Sequence, residues 1–295
     1  MSTSIQVIAI GELLWDVFPN QQRLGGAPAN FAIHYAQLSG DNHAVALVSA
    51  VGDDDLGATA RASINETGVN TDLVSTVTHP TGKVIVTTDS NGSPSYEIAA
   101  DVAWDYLAGG DAVSQAASNA QAICFGTLAQ RSPMSRTVIQ ETVSATAESA
   151  LRVLDINLRP TMTDPEVFQR SLEIANVLKL SDEELPVLAK QFALTGDYQS
   201  QLDELRQRFD LTTIAYTCGE HGAILLHGDE ISHCTGVPTD VVDTVGAGDA
   251  FTAALVAGLL EQKPLDEINK RACRIAAFVC SQNGATPKVP ASALA

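Results

Sequence analysis

Short apolar runs alternate with amphipathic stretches along most of the chain. The apolar runs are rich in Val, Ile, Leu and Ala, as strands are, and lie at 5–11, 44–52, 122–126, 151–157, 176–181 and 212–219. Between them, helical periodicity marks 135–150 and 198–209. Continuous apolar strands separated by helices indicate a parallel sheet that is covered on both faces. The pattern therefore predicts a doubly wound α/β fold with ligands bound beyond the carboxyl ends of the strands.

One segment, 71–107, departs from this alternation because its β-rich runs have no helix between them. The Asn-Gly pair at 91–92, within SNGSP, is a hairpin signal. We therefore expect a small antiparallel sheet, inserted at about 12–24 and 70–107, as a lid over the ligand end of the main sheet. A hairpin that faces only solvent is the alternative. No repeat or linker interrupts 1–295, so we expect one domain.

Composition disfavours several classes of function. The 295 residues include 35 acidic and 17 basic side chains, which gives a net charge of −18. Such an acidic chain is a poor partner for nucleic acid or for an anionic membrane surface. Five cysteines without a CxxC pair and six scattered histidines favour reduced thiols and no zinc site. Without an apolar run of about 18 residues or a leader-like start, we expect a cytoplasmic protein.

The stretch DTVGAGDAF, at 243–251, combines glycines with a carboxylate at the start of a predicted helix. The glycines let another group approach the backbone closely. A helix N-terminus presents free N–H groups and a partial positive charge, which favour a bound anion. Asp249 would repel that anion, so its place is explained if it handles a proton instead.

A second informative stretch, GELLWDVFPNQQRLGGAPAN, covers 11–30. Asp16 follows a predicted strand, Gly26 completes a Gly-Gly pair, and Asn30 lies in a predicted first helical turn. A carboxylate and an amide beside such glycines suit vicinal hydroxyls, because the carboxylate accepts hydrogen bonds and the amide also donates them. Ordinary turn and cap chemistry explains the same residues equally well.

Two further predicted strands end in polar residues. In DINLRP, Asp155, Asn157 and Arg159 alternate and would share one face if the strand continued through them. Arg159 would then contact the substrate or a transferred phosphate, or else form a surface ion pair. In KLSDEEL, Ser181 and Glu184 follow a strand and could hold waters on Mg²⁺. The plainer account of these acids is a favourable charge at a helix start.

TCGEHGA, at 217–223, places a Gly-x-x-Gly turn after a strand, where it could pass beneath a nucleotide. Two other nucleotide motifs are missing. GAGDAF lacks the third glycine of a dinucleotide fingerprint and lies far from the first βαβ unit, and no G-x-x-x-x-G-K-[ST] occurs. A nicotinamide-linked dehydrogenase and a P-loop enzyme are therefore disfavoured.

Together these stretches are similar to the ribokinase-like (PfkB) family of sugar kinases. DTVGAGDAF matches the C-terminal signature of the family at every residue, and GGAPAN (25–30) resembles its glycine-rich sugar site. VGDDDLG (51–57) and NGATPKVP (283–290) match further family segments in the expected order. The resemblance implies a large α/β domain with a β lid, which transfers the γ-phosphoryl group of ATP to a sugar hydroxymethyl group with the help of Mg²⁺.

The resemblance also implies a role for each matching residue. Asp249 would be the general base, facing the sugar hydroxyl, with the anion hole formed by Gly246, Ala247 and Gly248. The other implied contacts are sugar hydroxyls at Asp16, Gly26 and Asn30, the acceptor and phosphates at Arg159, and ATP at Ser181, Glu184, Thr217, Gly219, Gly222 and Gly248. Glu184 would bind Mg²⁺ through water. Ser181 stands where the family has Asn, which weakens the expected contact at that point.

Many members of the family bind a monovalent cation such as K⁺ beside the anion hole. An aspartate at the position of Asp243 and the carbonyl at that of Val245 supply two of its ligands. Lys288 stands here where a serine is common, so we hypothesise that its ammonium blocks the cation site and pairs with Asp243. A Lys288 side chain that points into solvent is the alternative.

The sequence leaves the sugar open. GELLWD, DINLRP and GTLAQRS (126–132) look most like fructokinases, which implies D-fructose phosphorylated at O6. Ribose, tagatose and 2-keto-3-deoxygluconate are alternatives, and Arg159 or Arg131 would supply a cation for the sugar acid. The rival class is a catalytically silent sugar-binding regulator on the same fold. An exposed lid sheet would also suit a homodimer.

Overall fold

The structure is a computed structural model that describes residues 5–40, 44–88, 94–159, 164–290 and 293. Its strands are β1 (Ile5–Ile10), β2 (Leu14–Phe18), β3 (Gln21–Gly25), β4 (Ala44–Gly52), β5 (Val74–Val77), β6 (Gly82–Thr88), β7 (Pro94–Ile98), β8 (Ala122–Gly126), β9 (Leu151–Asp155), β10 (Val177–Ser181), β11 (Thr213–Thr217), β12 (Ala223–His227) and β13 (Glu230–Cys234). Its α-helices are α1 (Ala27–Ser39), α2 (Asp55–Asn65), α3 (Asp111–Asn119), α4 (Pro133–Ser144), α5 (Pro165–Ile174), α6 (Leu185–Phe192), α7 (Tyr198–Arg208), α8 (Ala247–Leu260) and α9 (Leu265–Cys280).

The main sheet has nine strands in the order β13-β12-β11-β10-β9-β8-β1-β4-β5. Pairing is parallel from β5 across to β11, and the last two strands, β12 and β13, are antiparallel. The predicted doubly wound, mainly parallel sheet is therefore confirmed. The antiparallel edge hairpin was not predicted.

Helices cover both faces of this sheet. In β1, Ile8 and Ile10 pack into one apolar core while Val7 and Ala9 pack into the other, and all four are fully buried. The alternation follows from the two-residue period of a strand. Helices α3, α4 and α5 contribute to the first core, and α1, α8 and α9 to the second. None of the helices in the described part of the chain is both long and apolar enough to cross a membrane.

The smaller sheet has the order β3-β2-β6-β7 and corresponds to the predicted lid. It differs from the prediction in two ways. Its central pair, β2 and β6, is parallel rather than antiparallel, because the two strands belong to separate segments and not to one hairpin. Strand β5 extends the main sheet beside β4 instead of joining the lid, so the second lid segment starts later than expected. Most of the predicted SNGSP turn, 90–93, lies outside the described residues.

The segment after β9 also departs from the prediction. The strand ends at Asp155, so 155–159 does not continue as a strand with alternating side chains. Asn157 adopts a left-handed φ of +41°, which Asn tolerates better than most residues. The N–H of Leu158 donates to Glu184 Oε1 at 2.8 Å, which ties this turn to the end of β10.

Candidate active site

The first turn of α8 carries Asp249 into the interior. Gly246, which precedes the helix, has a φ of +81°, and a Cβ placed on it would lie 2.1 Å from the carbonyl oxygen of Ala285. This position therefore requires glycine on two counts. The turn 246–248 presents first-turn N–H groups that have no partner within the helix, at the end where the helix dipole is positive.

A hydrogen bond links Asp249 to Asn30, one of the residues predicted to bind sugar hydroxyls. Asn30, on α1, donates from Nδ2 to Asp249 Oδ2 at 2.8 Å. Burial raises the pKa of Asp249 to about 6, and the charge of Asp155 adds to that rise. The hydrogen bond from Asn30 and the positive charges of Lys179 and Arg159 oppose it. Asp249 is therefore largely ionised at neutral pH and able to accept a proton.

The glycine pair before α1 is held against a residue that sequence reasoning missed. Glu12 is almost fully buried, and its Oε1 accepts the N–H of Ala27 at 3.2 Å. Burial raises the pKa of Glu12 to about 7. A Cβ on Gly26, whose φ is +110°, would lie 2.4 Å from the backbone oxygen of Glu12. A glutamate inside an apolar run was the signal that could have pointed to it.

Asp16 and Arg159 approach the same region from the lid and from the turn after β9. Burial raises the pKa of Asp16, while the charges of Arg159 and Arg23 oppose that rise. Arg159 also acts electrostatically on Asp249. Its Nη1 donates to Asn157 Oδ1 at 2.7 Å, and no carboxylate among the described residues forms an ion pair with it. The structure thus brings these sequence-predicted sugar residues together, and Arg159 is not in a surface ion pair.

Glu184 is buried at the junction of β10 and α6, unlike an exposed helix-start acid. Its Oε2 accepts the N–H of Ser181 at 2.7 Å, and its Oε1 accepts the N–H of Leu158. Both oxygens retain lone pairs that suit a water on Mg²⁺. Within the described residues, no three His, Cys, Asp or Glu side chains gather into a metal site. The carboxylate of Glu184 is the right donor for Mg²⁺ whose other ligands are waters and phosphate oxygens.

The predicted nucleotide loop follows β11. Gly219 and Gly222 have φ values of +52° and +97°, and the N–H of Cys218 donates to Gly222 O at 2.8 Å. A Cβ on Gly222 would lie 2.0 Å from the carbonyl oxygen of Cys234. Thr217 closes the strand, with its hydroxyl donating to Leu180 O. The loop is therefore packed tightly against the chain that leaves β13.

Asp243 does not pair with Lys288. Its Oδ2 accepts Arg23 Nη1 at 3.0 Å and the N–H of Gly284 at 3.1 Å, and its Oδ1 accepts the N–H of Val245 at 3.1 Å. Lys288 is exposed and forms no ion pair among the described residues. The hypothesis of a Lys288–Asp243 pair is therefore wrong. The residues also do not fit K⁺ well, because a guanidinium already neutralises the carboxylate that would bind it.

These groups lie beyond the carboxyl ends of β1, β9, β10 and β11, at the edge where ligands bind in doubly wound folds. A carboxylate beside a glycine-led helix N-terminus suits the transfer of an anionic group. A model of the pfkB family carbohydrate kinases matches residues 3–292. The chain belongs to the PfkB family of carbohydrate kinases, and it is an ATP:sugar phosphotransferase.

Similar proteins agree with this family. A fructokinase of Klebsiella pneumoniae is 30% identical over 267 residues, which cover 86% of this chain and 84% of that protein. The crystal structure of a fructokinase from Xylella fastidiosa with bound ATP has a TM-score of 0.84 at 23% identity, covering 98% of this chain and 96% of that one. A candidate ribokinase II from E. coli, solved with ATP and Mg²⁺, has a TM-score of 0.82 at 19% identity, with 95% and 94% covered.

Proposed function

We propose that this kinase phosphorylates a small ketose at a hydroxymethyl group, with D-fructose and its O6 as the leading case. The observation that carries the proposal is the hydrogen bond between Asn30 and Asp249, 219 positions apart. It joins Asn30, which is predicted to bind sugar hydroxyls, to Asp249, the predicted base. A hydroxyl held by Asn30 would therefore lie within reach of the carboxylate of Asp249.

In this mechanism, Asp249 accepts the proton of the attacking hydroxyl as its oxygen bonds to the γ-phosphorus of ATP. The bond from that phosphorus to the β-phosphate oxygen breaks, and ADP leaves. Its pKa of about 6 keeps it ionised near neutral pH while leaving it basic enough to hold the proton. The N–H groups of 246–248 hold the phosphoryl group in flight, where charge on its oxygens must be stabilised. Glu184 would hold Mg²⁺ through water, and the ion would supply positive charge to the phosphates. The base and the anion site are thus adjacent on one helix turn.

The nucleotide would lie along Thr217, Gly219 and Gly222, near Ser181 at the end of β10. The chain between β13 and α8 carries apolar side chains that are unusually exposed, Val237 at 40%, Val241 at 65% and Val242 at 55%. Exposed apolar groups beside a tight glycine loop suit one face of an adenine base. This arrangement supports ATP as the donor.

The choice of a neutral sugar over a sugar acid rests on the two candidate arginines. Arg131 donates from Nε and Nη2 to the carboxylate of Asp105, at 2.7 Å each, and its guanidinium lies 3.7 Å from the Trp104 ring centre. Its charge is therefore already neutralised. Arg159 has no carboxylate partner among the described residues, and it would meet the acceptor and the phosphates. The fructokinase relative at 30% identity points the same way.

The test is ADP release from Mg·ATP with fructose, tagatose, ribose and 2-keto-3-deoxygluconate. The proposal expects the highest kcat/KM with fructose. A higher value with ribose or with the sugar acid would contradict the substrate. If no sugar gives ADP release while calorimetry still detects sugar binding, a sugar-binding regulator is favoured instead.

We also propose a homodimer through the lid. Ile85, on β6, is 37% exposed while its neighbours Val84 and Val86 are buried, so the lid turns apolar surface outward. Its outer strands, β3 and β7, have no further strand beside them among the described residues and can pair with a second copy. Sedimentation velocity should give a dimer, and a monomer at all concentrations would contradict this.

A further inference from the structure

A lysine is buried beneath the predicted anion hole. Lys179 lies in the middle of β10 and is only 7% exposed. Its Nζ donates to Asp155 Oδ1 at 3.0 Å, and the other oxygen of that carboxylate accepts the hydroxyl of Thr252 at 2.9 Å. A buried charge is unfavourable unless it is paired and hydrogen-bonded, and here both charges are.

The position of the ammonium relative to α8 is specific. A Cβ placed on Gly248 would lie 3.1 Å from Lys179 Nζ, so the ammonium, which projects from strand β10, lies next to the predicted anion-hole turn. The hydroxyl of Thr252 lies 2.9 Å from Gly248 O as well, so the same turn is also bound to the Asp155 side of the pair. Strands β9 and β10 and helix α8 meet at these four residues.

Stability alone does not account for this pair. Buried ion pairs are often no more stabilising than apolar residues of the same volume. The pair does, however, place one negative and one positive charge close to Asp249. The charge of Asp155 raises the pKa of Asp249, and that of Lys179 lowers it.

Other charged groups face the same region. Arg159 lowers the pKa of Asp249, and Glu12 and Asp249 repel each other. Glu184 acts on Lys179 and Asp155, and the Cys124 thiol, whose pKa is raised well above its usual value, stays neutral. Burial alone would lower the pKa of Lys179, but the charges of Asp155 and Glu184 outweigh it and raise the pKa. The two carboxylates therefore favour the protonated form of Lys179.

We propose that Lys179 is a positioning residue for phosphoryl transfer, whose buried ammonium supports the anion hole from beneath and offsets the charge of Asp155 beside Asp249. The proposal rests on the proposed function of Asp249 and 246–248. Gly248 lets the ammonium lie this close, because a Cβ there would force Lys179 Nζ to shift by a few tenths of an ångström. The ammonium also gives the anion hole a positive charge that never contacts the substrate.

The test uses three variants, Lys179→Met, Asp155→Asn and the double variant, each assayed from pH 5 to 9 with the best sugar. Lys179→Met should lower kcat about 10- to 100-fold with little change in sugar KM, because transition-state charge loses support. The acid limb of its pH profile should move to higher pH. In Asp155→Asn the limb should move to lower pH, since a charge that repels ionised Asp249 is gone. Lys263→Met, at an exposed lysine in the turn between α8 and α9, is the matched control.

The double variant removes both buried charges, so it is expected to fold even if Lys179→Met does not. Its acid limb should return close to that of the parent, while kcat stays low because no cation lies under Gly248. Parent-like kcat in the double variant, or limbs that do not move in opposite directions, would overturn the proposal.

A measurement that needs no turnover distinguishes the role of Lys179 from the proposed sugar kinase reaction. The ¹³C carboxyl shift of Asp249, assigned with Asp249→Asn, reports its titration directly. The pKa of Asp249 should be higher in Lys179→Met than in the parent, and lower in Asp155→Asn. If no sugar is phosphorylated but these shifts appear, the proposed reaction fails while the electrostatic role stands. Equal titration in all proteins contradicts the role of Lys179.

Discussion

Helices α1 and α8 both begin after a glycine with a positive φ, and in both a neighbouring carbonyl oxygen excludes a Cβ: Glu12 O at Gly26 and Ala285 O at Gly246. Their first turns then meet through Asn30 and Asp249. The two helix starts differ in the charge they face. At α1 the carboxyl group of Glu12, whose pKa burial raises to about 7, accepts a backbone N–H, so the protein supplies its own acceptor there.

At α8 the charge beneath the helix start is instead a cation, Lys179, beside Gly248. This helix start is therefore suited to receive an anion from outside, whereas the start of α1 is already satisfied. A glycine before a helix is thus not enough to identify an anion site. We infer that the charge packed behind each helix start would decide which of the two binds phosphate and which binds a neutral hydroxyl.

The largest expected effect comes from Asp249→Asn. The amide keeps the size of the side chain but cannot accept the proton, so kcat should fall by about 10²–10⁴-fold. Calorimetry should show sugar binding within a few-fold of the parent. In the parent, kcat/KM should fall as the pH drops below about 6, where Asp249 becomes protonated. A variant with parent-like turnover would contradict the role of base.

The same substitution at Gly246 and at Gly26 compares the starts of α8 and α1 directly. Gly246→Ala and Gly26→Ala introduce similar clashes at a positive φ, each destabilising by about 1–3 kcal/mol. Gly246→Ala should mainly lower kcat, because it distorts the anion hole, whereas Gly26→Ala should mainly raise the sugar KM. Steady-state kinetics distinguish the two. If both variants mainly change the same constant, kcat or KM, the two helix starts do not have the different roles inferred for them.

Glu12→Gln tests the buried carboxyl group that accepts a backbone N–H at the start of α1. The pKa of Glu12 rises from 4.5 to about 7 on folding, so the folded state binds the extra proton between these values. The free energy of unfolding of the parent should therefore fall as the pH rises from about 4.5 to 7, by at most about 3 kcal/mol from this group. Glu12→Gln should flatten this decline in urea titrations. An equally steep decline in the variant would show that Glu12 is not its source.

The smallest effect is expected from Arg23→Gln, which removes the lid contact to Asp243. The pair is partly exposed, with side chains 32% and 19% accessible, so its loss should cost about 1 kcal/mol or less. The rate of the parent should be equal in KCl and in tetramethylammonium chloride. Arg23→Gln frees the carboxylate, so K⁺ should then stimulate the variant. Strong K⁺ dependence of the parent would contradict the neutralisation of Asp243 by Arg23.

The sequence predicted the sheet and the two glycine-led turns because these depend on local patterns. Period-two apolar runs identify buried strands, and glycines before Ala-rich runs identify helix starts. The edge hairpin β12–β13 was missed although Gly228-Asp229 between its strands is a turn signal. The lid strands were predicted, but not the parallel pairing of β2 with β6, since no local pattern specifies which distant segments pair.

The charges behind the two helix starts could not be predicted for a different reason. Lys179 and Glu12 each lie in or beside an apolar run, and such residues are usually exposed. Only the folded chain shows that Lys179 pairs with Asp155, 24 positions away, and that Thr252 donates to the same carboxylate from 97 positions away. The resemblance pointed to Lys288 because it stands in the last loop where a serine is common, whereas nothing in the sequence pointed to Arg23, which lies 220 residues from Asp243.

In the proposed reaction, the start of α8 binds the phosphoryl group while Asn30 and Asp249 hold the attacking hydroxyl. The most direct measurement is binding of MgADP with aluminium fluoride, a mimic of the phosphoryl group in flight, in the presence and absence of the best sugar. The account predicts tight, sugar-dependent binding to the parent. It predicts loss of that binding in Gly246→Ala, with MgADP and sugar each still bound alone. Equal binding of the mimic by parent and variant would contradict the claim.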